Sequence, residues 1–431
     1  MAGDSILIEA EGEVATPGQQ SDYSFDASAG QTVLLEIRLS ELSTYWTLTG
    51  PDQGEIFSII RSGVSSLGPQ VLEQAGEYTL SVSGYAEETG AYSFALWNVP
   101  MPDSFEIPLA SVIGSETGTG AGEIETPGVK DVYTFEATAG QSIFIEVPEA
   151  NFTSYWVLAD QDDTQVFAGF RSGGSNIGLV QLERGGVYTL TVSGYQAETG
   201  TYRARLWEVP APDTFAVEIG QTVAPEMTGA GAGSIESPGA QDIYTFESVS
   251  GQSIFVEVLQ ADFTAYWQIT GPDEEQIFSG FRGGDSSLGV LSLETDGQYT
   301  LTVSGYNAET GTYRAKLWDV PAPDHFEIAL GQSISEGTPE AGAGVIETPG
   351  VQDVYTFDAA QGQSIQLEIA TADFSVYWVV EHEDGEQIFS GYRSAESIIG
   401  PITLERAGPY RLIVSGYDRE SGRYRFTISE P

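Results

Sequence analysis

The chain of 431 residues contains no cysteine, which excludes disulfides, thiolate metal sites and cysteine nucleophiles. Cations are scarce: 16 Lys and Arg stand against 63 Asp and Glu, a formal net charge of −47, and Lys130 and Lys316 are the only lysines. A surface so poor in cations repels phosphate backbones and anionic headgroups, so nucleic acid is not an expected partner. Histidine is nearly absent too, with only His325 and His382. Neither recurs at a matching place, so a Ser–His–Asp site or a histidine zinc site would have nothing else to mark it. Carboxylate pairs of the glycosidase kind arise by chance among so many acids. The chain is therefore read as not an enzyme. No run of roughly 18 apolar residues occurs, so membrane insertion is not expected. Met1-Ala2-Gly3-Asp4 lacks a basic and apolar signal region, and the chain is read as a portion of a longer exported protein.

What is present is repetition. The stretch GEIETPGVKDVYTFEATAGQSIFIEV from Gly122 returns with small changes, and its Pro-Gly landmark falls at Pro17, Pro127, Pro238 and Pro349, at spacings of 110, 111 and 111 residues. A period that long is one self-contained module copied in tandem, large enough to bury its own core. Within a copy the pattern alternates with period two, as in Val132 to Phe135, Ser142 to Val147, Tyr155 to Leu158, Gln165 to Phe170, Ile177 to Leu182, Val187 to Val192 and Thr201 to Trp207. Turn signals such as Gly185-Gly186 and Glu198-Thr199-Gly200 separate the runs, and no helical period is present. The expected fold is all-β: four tandem antiparallel β-sandwich, jelly-roll-like domains joined by Pro-containing linkers. The expected domains are residues 1–98, then 99–208, 209–319 and 320–431, each of the last three opening with its linker.

The linkers carry two prolines at alternate positions, as in Val99-Pro100-Met101-Pro102-Asp103, which favours an extended, semi-rigid path. A short alternating run follows (Phe215 to Ile219 in the third copy), then a Gly/Ala-rich stretch, Gly229 to Gly233. Trp97, Trp207 and Trp318 close the last strand of the first three copies, whereas the fourth has Ser429 there. The tryptophan thus occurs only where another copy follows. It is read as inter-repeat packing, with the fourth copy as a C-terminal cap.

Three sets of repeated polar or aromatic residues are candidate sites. Arg61, Arg171, Arg282 and Arg393 occupy one place in a chain with few cations. They would meet an anionic or planar ligand beside an aromatic platform, or pair within the module with Asp22, Asp131, Asp242 and Asp353. The pair carries more weight. Tyr45, Tyr155, Tyr266 and Tyr377 precede Trp46, Trp156, Trp267 and Trp378. Alternation puts Tyr and Trp on opposite faces, so one is core and the other is open to a sugar-like ligand. Asp103, Asp213 and Asp324, with Glu125, Glu236 and Glu347, gather hard oxygen ligands at the junctions. Calcium is the metal these would suit, but no calcium-loop spacing is present and solvated acid is the weightier reading. No cofactor is required. Tyr85, Tyr195, Tyr306 and Tyr417, in Ser-Gly-Tyr, are expected to form a corner holding the last two strands.

The succession Asp131-x-Tyr133-x-Phe135, Ala139-Gly140-Gln141, Gly271-Pro272-Asp273, Gly186-x-Tyr188-Thr189-Leu190-x-Val192-x-Gly194 and Gly200-x-Tyr202 resembles the bacterial pre-peptidase C-terminal (PPC) domain family over about 90 residues of each period. The resemblance implies sandwich domains attached to secreted enzymes and surface proteins, some with calcium at their edges and some binding matrix proteins such as collagen. This chain carries no peptidase domain. The expected function is a non-catalytic, extracellular or cell-surface stalk, spacer or adhesive array. The alternatives are a multivalent binder of extracellular polysaccharide or matrix protein, or an accessory segment of a secreted hydrolase. Self-association through the repeats is a further expected partnership.

Overall fold

A computed structural model describes residues 5–225 and 231–431. Two expectations fall outside the described residues: the one on Met1 to Asp4 and the part of the Gly/Ala-rich stretch at Gly229-Ala230. The chain is all-β, with multiple sheets and no helix among the described residues. It divides into two compact units, Met1–Pro210 and Ala211–Pro431, each holding two of the sequence repeats.

Each repeat forms two sheets. In the second repeat, one has the strand order Val112–Ile113, Gly200–Val209, Gln141–Ala150, Gly178–Leu182. The other runs Gln165–Arg171, Ser154–Ala159, Gly186–Gly194, Lys130–Ala137, Asp103–Glu106. The third and fourth repeats reproduce this order. The first has four strands in each sheet, and its edge strand Ile6–Val14 pairs along Gly90–Val99. The strands form where period-two alternation lets one face pack on an apolar core. In Gly186–Gly194, for example, Tyr188, Leu190 and Val192 are buried while the residues between them face outward. Four hydrophobic clusters result, one centred in each repeat, and Trp46, Trp156, Trp267 and Trp378 are among the largest fully buried side chains.

One departure from the expected antiparallel pattern lies in the linkers. Asp103–Glu106, Asp213–Ala216 and Asp324–Glu327 each pair in parallel with the first long strand of their own repeat. The pairing sets Asp103 beside Asp131 and Phe105 beside Tyr133, whose rings stack 5.1 Å apart. The linker is thus woven into the module that follows it.

Within each unit the two repeats touch through apolar side chains. Leu34 and Val99 of the first repeat belong to the core cluster of the second, with Trp97 packed against it. Phe255, Val320 and Trp318 of the third repeat do the same for the fourth.

Candidate functional site

The repeated tryptophans and tyrosines separate as strand parity requires. The Trp side chains are core; the Tyr side chains face out. Each outward Tyr stands across from a residue of the edge strand and a serine of the inner strand. These rungs are Tyr45–Ile60 with Ser83, Tyr155–Phe170 with Ser193, Tyr266–Phe281 with Ser304, and Tyr377–Tyr392 with Ser415. The corner tyrosines extend the rungs. Phe170 lies 4.7 Å from Tyr155 and meets Tyr195 edge-on at 5.1 Å, and the third and fourth repeats copy this with Phe281–Tyr306 at 4.9 Å and Tyr392–Tyr417 at 4.9 Å. The rings stay open, Phe170 at 53% and Tyr417 at 52% exposure.

The corner itself is held by a glutamate that sequence reading missed. Glu198 Oε2 accepts from Thr153 N at 2.7 Å, and Glu88, Glu309 and Glu420 do the same for Ser43, Thr264 and Ser375. The Ser-Gly-Tyr glycine allows that turn to close: a Cβ on Gly194 would lie 1.8 Å from Glu198 O. The signal was available as a Glu three residues after every corner Tyr.

The second rung is equally free of charge: Thr47–Ser58 with Ser81, Val157–Ala168 with Thr191, Gln268–Ser279 with Thr302, Val379–Ser390 with Ile413. Hydroxyls link within it, as in Thr47 Oγ1 to Ser58 Oγ at 3.2 Å, and Ser58 Oγ donates to Tyr45 OH at 2.5 Å.

The arginines do not pair with the expected aspartates. Arg171 donates to Phe170 O at 2.7 Å and Asn176 O at 3.0 Å, and Arg282 to Phe281 O and Ser287 O at 2.8 and 2.7 Å. Arg61 and Arg393 reach the carbonyls of Ile60 and Tyr392. Arg171, Arg282 and Arg393 lie over Phe167, Phe278 and Phe389 at 5.0 to 5.6 Å. The expected Asp partner is elsewhere, because strand parity sends it into the core while the arginine works at the edge.

That aspartate sits in a buried phenol pair. Asp131 Oδ2 accepts from Tyr133 OH at 3.1 Å and from Tyr202 OH, the two phenols are 2.8 Å apart, and Gly122 N donates to Tyr133 OH at 3.0 Å. Asp242 and Asp353 repeat the arrangement with Tyr244–Tyr313 and Tyr355–Tyr424. Burial pushes the Asp131 and Asp242 carboxyls up to about 6 and Asp353 to about 7. The phenol hydrogen bonds oppose this, while nearby acids add to it: Glu125 and Asp103 for Asp131, Glu236 and Asp213 for Asp242, Glu347 and Asp324 for Asp353. The linker acids thus do gather round the buried one. Gly120, at φ 90°, leaves room for this, since a Cβ there would meet Asp103 Oδ2 at 2.4 Å.

Asp131 Oδ1 and Asp353 Oδ1 are buried without a hydrogen-bond partner. Among the described residues, no group of three or more metal-ligating side chains is arranged to hold an ion. The orphaned oxygen suits a cation; the missing third ligand does not.

Asp22 needs correcting as a counterpart. Counting back one period from Asp131 reaches Ser21, and Asp22 points outward, accepting from Ser81 Oγ and Gln20 Nε2, each at 2.7 Å.

The junction tryptophans are tied down within their own repeats. Trp97, Trp207 and Trp318 each donate from the indole to Glu36, Glu146 and Glu257 at 2.8 Å. A cation lies over every ring: Arg38 at 5.7 Å, Arg205 at 3.5 Å and Lys316 at 3.1 Å. His382 is buried, its Nδ1 3.0 Å from Asp384 Oδ1, and Asp384 also holds Arg406 at 2.6 Å.

No known family profile matches the chain, and no curated protein does. Among solved structures it is similar to the pre-peptidase C-terminal domain of collagenase from Bacillus anthracis, at 22% identity over 25% of this chain and 97% of that one, with a TM-score of 0.21. It is also similar to the CUB1-EGF-CUB2 domains of rat MASP-1, at 12% identity over 50% of this chain and 99% of that one, TM-score 0.18. A third is the insecticidal delta-endotoxin Cry8Ea1 from Bacillus thuringiensis, at 9% identity over 71% of this chain and 55% of that one, TM-score 0.19. No helix among the described residues is long and apolar enough to cross a membrane.

Proposed function

We propose that the chain is a non-catalytic array of four β-sandwich, jelly-roll-like domains of the PPC type, serving as a stalk, spacer or adhesive segment of an extracellular or cell-surface bacterial protein. One observation carries this reading: every named strand pairs within its own repeat, and each repeat centres one apolar cluster, to which the second and fourth add a few side chains of the repeat before them. In addition, the repeated Arg, Asp and Glu residues are engaged in holding turns and strands. The other reading of a repetitive all-β chain is a β-solenoid, in which repeats share continuous sheets and unfold progressively.

Pulling the chain by its ends in a force spectrometer separates the two. The array gives four unfolding events, each releasing about 35–40 nm for a 110-residue module at ~3.3–3.6 Å per residue. A single progressive release, or two events of twice the length, removes the four-domain reading.

A multivalent binder is the second reading, favoured by the open ring rungs; matrix protein, self-association and an accessory role beside a hydrolase are its variants. Calcium stays in the proposal at the linker acids because Asp131 Oδ1 and Asp353 Oδ1 lack partners. A melting midpoint indifferent to added calcium removes it.

A further inference from the structure

The ring rungs are poorer in charge than the rest of the chain. Asp and Glu supply 63 of 431 residues, yet across the three strands that carry the rings the two outward rungs hold neither acid nor base in any repeat. On the fourth strand they reach Lys130 beside Ser193 and Asp22 beside Ser81, with glutamine or an apolar side chain at the other places. Instead they offer half-open rings beside serine and threonine hydroxyls. The neighbouring arginine is tied to the edge strand, with two of its five N–H donors on backbone carbonyls in the second and third repeats and one in the first and fourth. An acidic polymer is further repelled by the net charge of −47. A basic protein would find one carboxylate at the rungs, Asp22 beside Ser81 in the first repeat, and none at the matching places of the other three. What matches is a neutral polymer with an apolar C–H face to lie on a ring, and hydroxyls to meet Ser and Thr.

We infer that each repeat presents a binding subsite for neutral polysaccharide, centred on Phe170, Phe281 and Tyr392 in the last three repeats and on Tyr45 in the first. This deepens the multivalent variant of the proposed function and does not require the four-domain reading. A repeating polymer meets the same weak subsite several times on one chain, so overall affinity rises without any single strong contact.

The test is affinity electrophoresis of the full chain in native gels. The gels contain a soluble mixed-linkage glucan, a galactomannan or a soluble neutral chitin derivative, with alginate and polylysine as charged controls. At least one neutral polymer retards the chain, and retardation persists at about 1 M salt, where charge is screened within about 3 Å. The triple variant Phe170→Ala, Phe281→Ala, Tyr392→Ala binds roughly tenfold or more weakly, because losses at linked subsites multiply. Its circular dichroism and melting stay close to wild type, since these rings are about half exposed. A second variant, Ser193→Asp with Ser304→Asp, keeps the rings, adds charge beside them and weakens binding too.

No retardation by any of the three neutral polymers overturns the inference. So does equal retardation of the variants, or binding to polylysine alone that salt abolishes. Four clean unfolding events with no polysaccharide binding would leave the array standing and remove only the subsite.

Discussion

The first repeat and the three that follow share a sheet order but not a buried charge. In the later repeats a linker strand lies parallel to the first long strand and brings acids against a buried aspartate. The first repeat has Ser21 where the second has Asp131, and Ala15 where it has Glu125. Its two phenols still meet, Tyr23 OH to Tyr92 OH at 2.9 Å, with no carboxylate between them. The phenol pair therefore belongs to the paired sheets of every repeat, whereas the carboxylate goes with the linker strand.

Acidity should expose this contrast most strongly. The folded-state pKa of Asp131 and Asp242 is about 6, above the ordinary 3.8, so folding takes up a proton between these values. The associated stability is fully present below pH 4 and is lost as pH rises through 6, by about 3 kcal/mol for each group at 1.36 kcal/mol per pKa unit. Asp353 loses its share nearer pH 7. Hydrogen exchange read repeat by repeat should show the last three loosening between pH 4 and 7.5 while the first changes least. Asp131→Asn should flatten the slope of the second repeat alone; an unchanged slope would mean the buried carboxyl is not its source.

Moving the charge into the first repeat is the converse. Ser21→Asp places a carboxylate beside Tyr23 and Tyr92 without a linker strand over it. Burying it incompletely partnered should cost roughly 2 kcal/mol at pH 8 and much less at pH 4. Urea melts at the two pH values check this, and equal losses at both would contradict it.

The junctions offer a smaller test. Trp318→Ala removes a half-buried ring that packs on the fourth repeat's core and pairs with Glu257 and Lys316. A loss of about 2 kcal/mol is expected, below a full core truncation, together with a change in X-ray scattering. Ser429→Ala, at the matching place of the fourth repeat, should stay within about 0.5 kcal/mol. Least of all, Arg419→Ala breaks a 3.0 Å bridge to Asp285, whose side chain is 81% exposed. Such exposed pairs contribute under about 1 kcal/mol, and a double-mutant cycle with Asp285→Ala measures the coupling.

Much of the scaffold could be read from the residues. The period, the strand runs of the second repeat and the inward Trp beside an outward Tyr follow from alternation and turn chemistry, which are local. What the residues do not announce is relational. Asp22 shares its residue type with Asp131 but stands one place off in the strand, and that shift turns a side chain to the opposite face. Arg171 has carbonyls for partners, and carbonyls carry no side-chain signature. The parallel seating of Asp103–Glu106 depends on a chain path that a four-residue run cannot announce. The edge residues Phe170 and Tyr195 join Tyr155 only once three strands are laid side by side.

The seating of the linker strand also limits slack. The strand Gly90–Val99 ends one repeat and Asp103–Glu106 is already bound into the next, so only Pro100, Met101 and Pro102 hang between them. That leash reaches about 10–14 Å when taut, and two of its three links are stiffened by pyrrolidine rings. Neighbours so tethered cannot drift apart and return; separating them means peeling a strand from a sheet. The give in such a chain would then come in steps, one seam at a time, rather than as the loose stretch of a flexible cord.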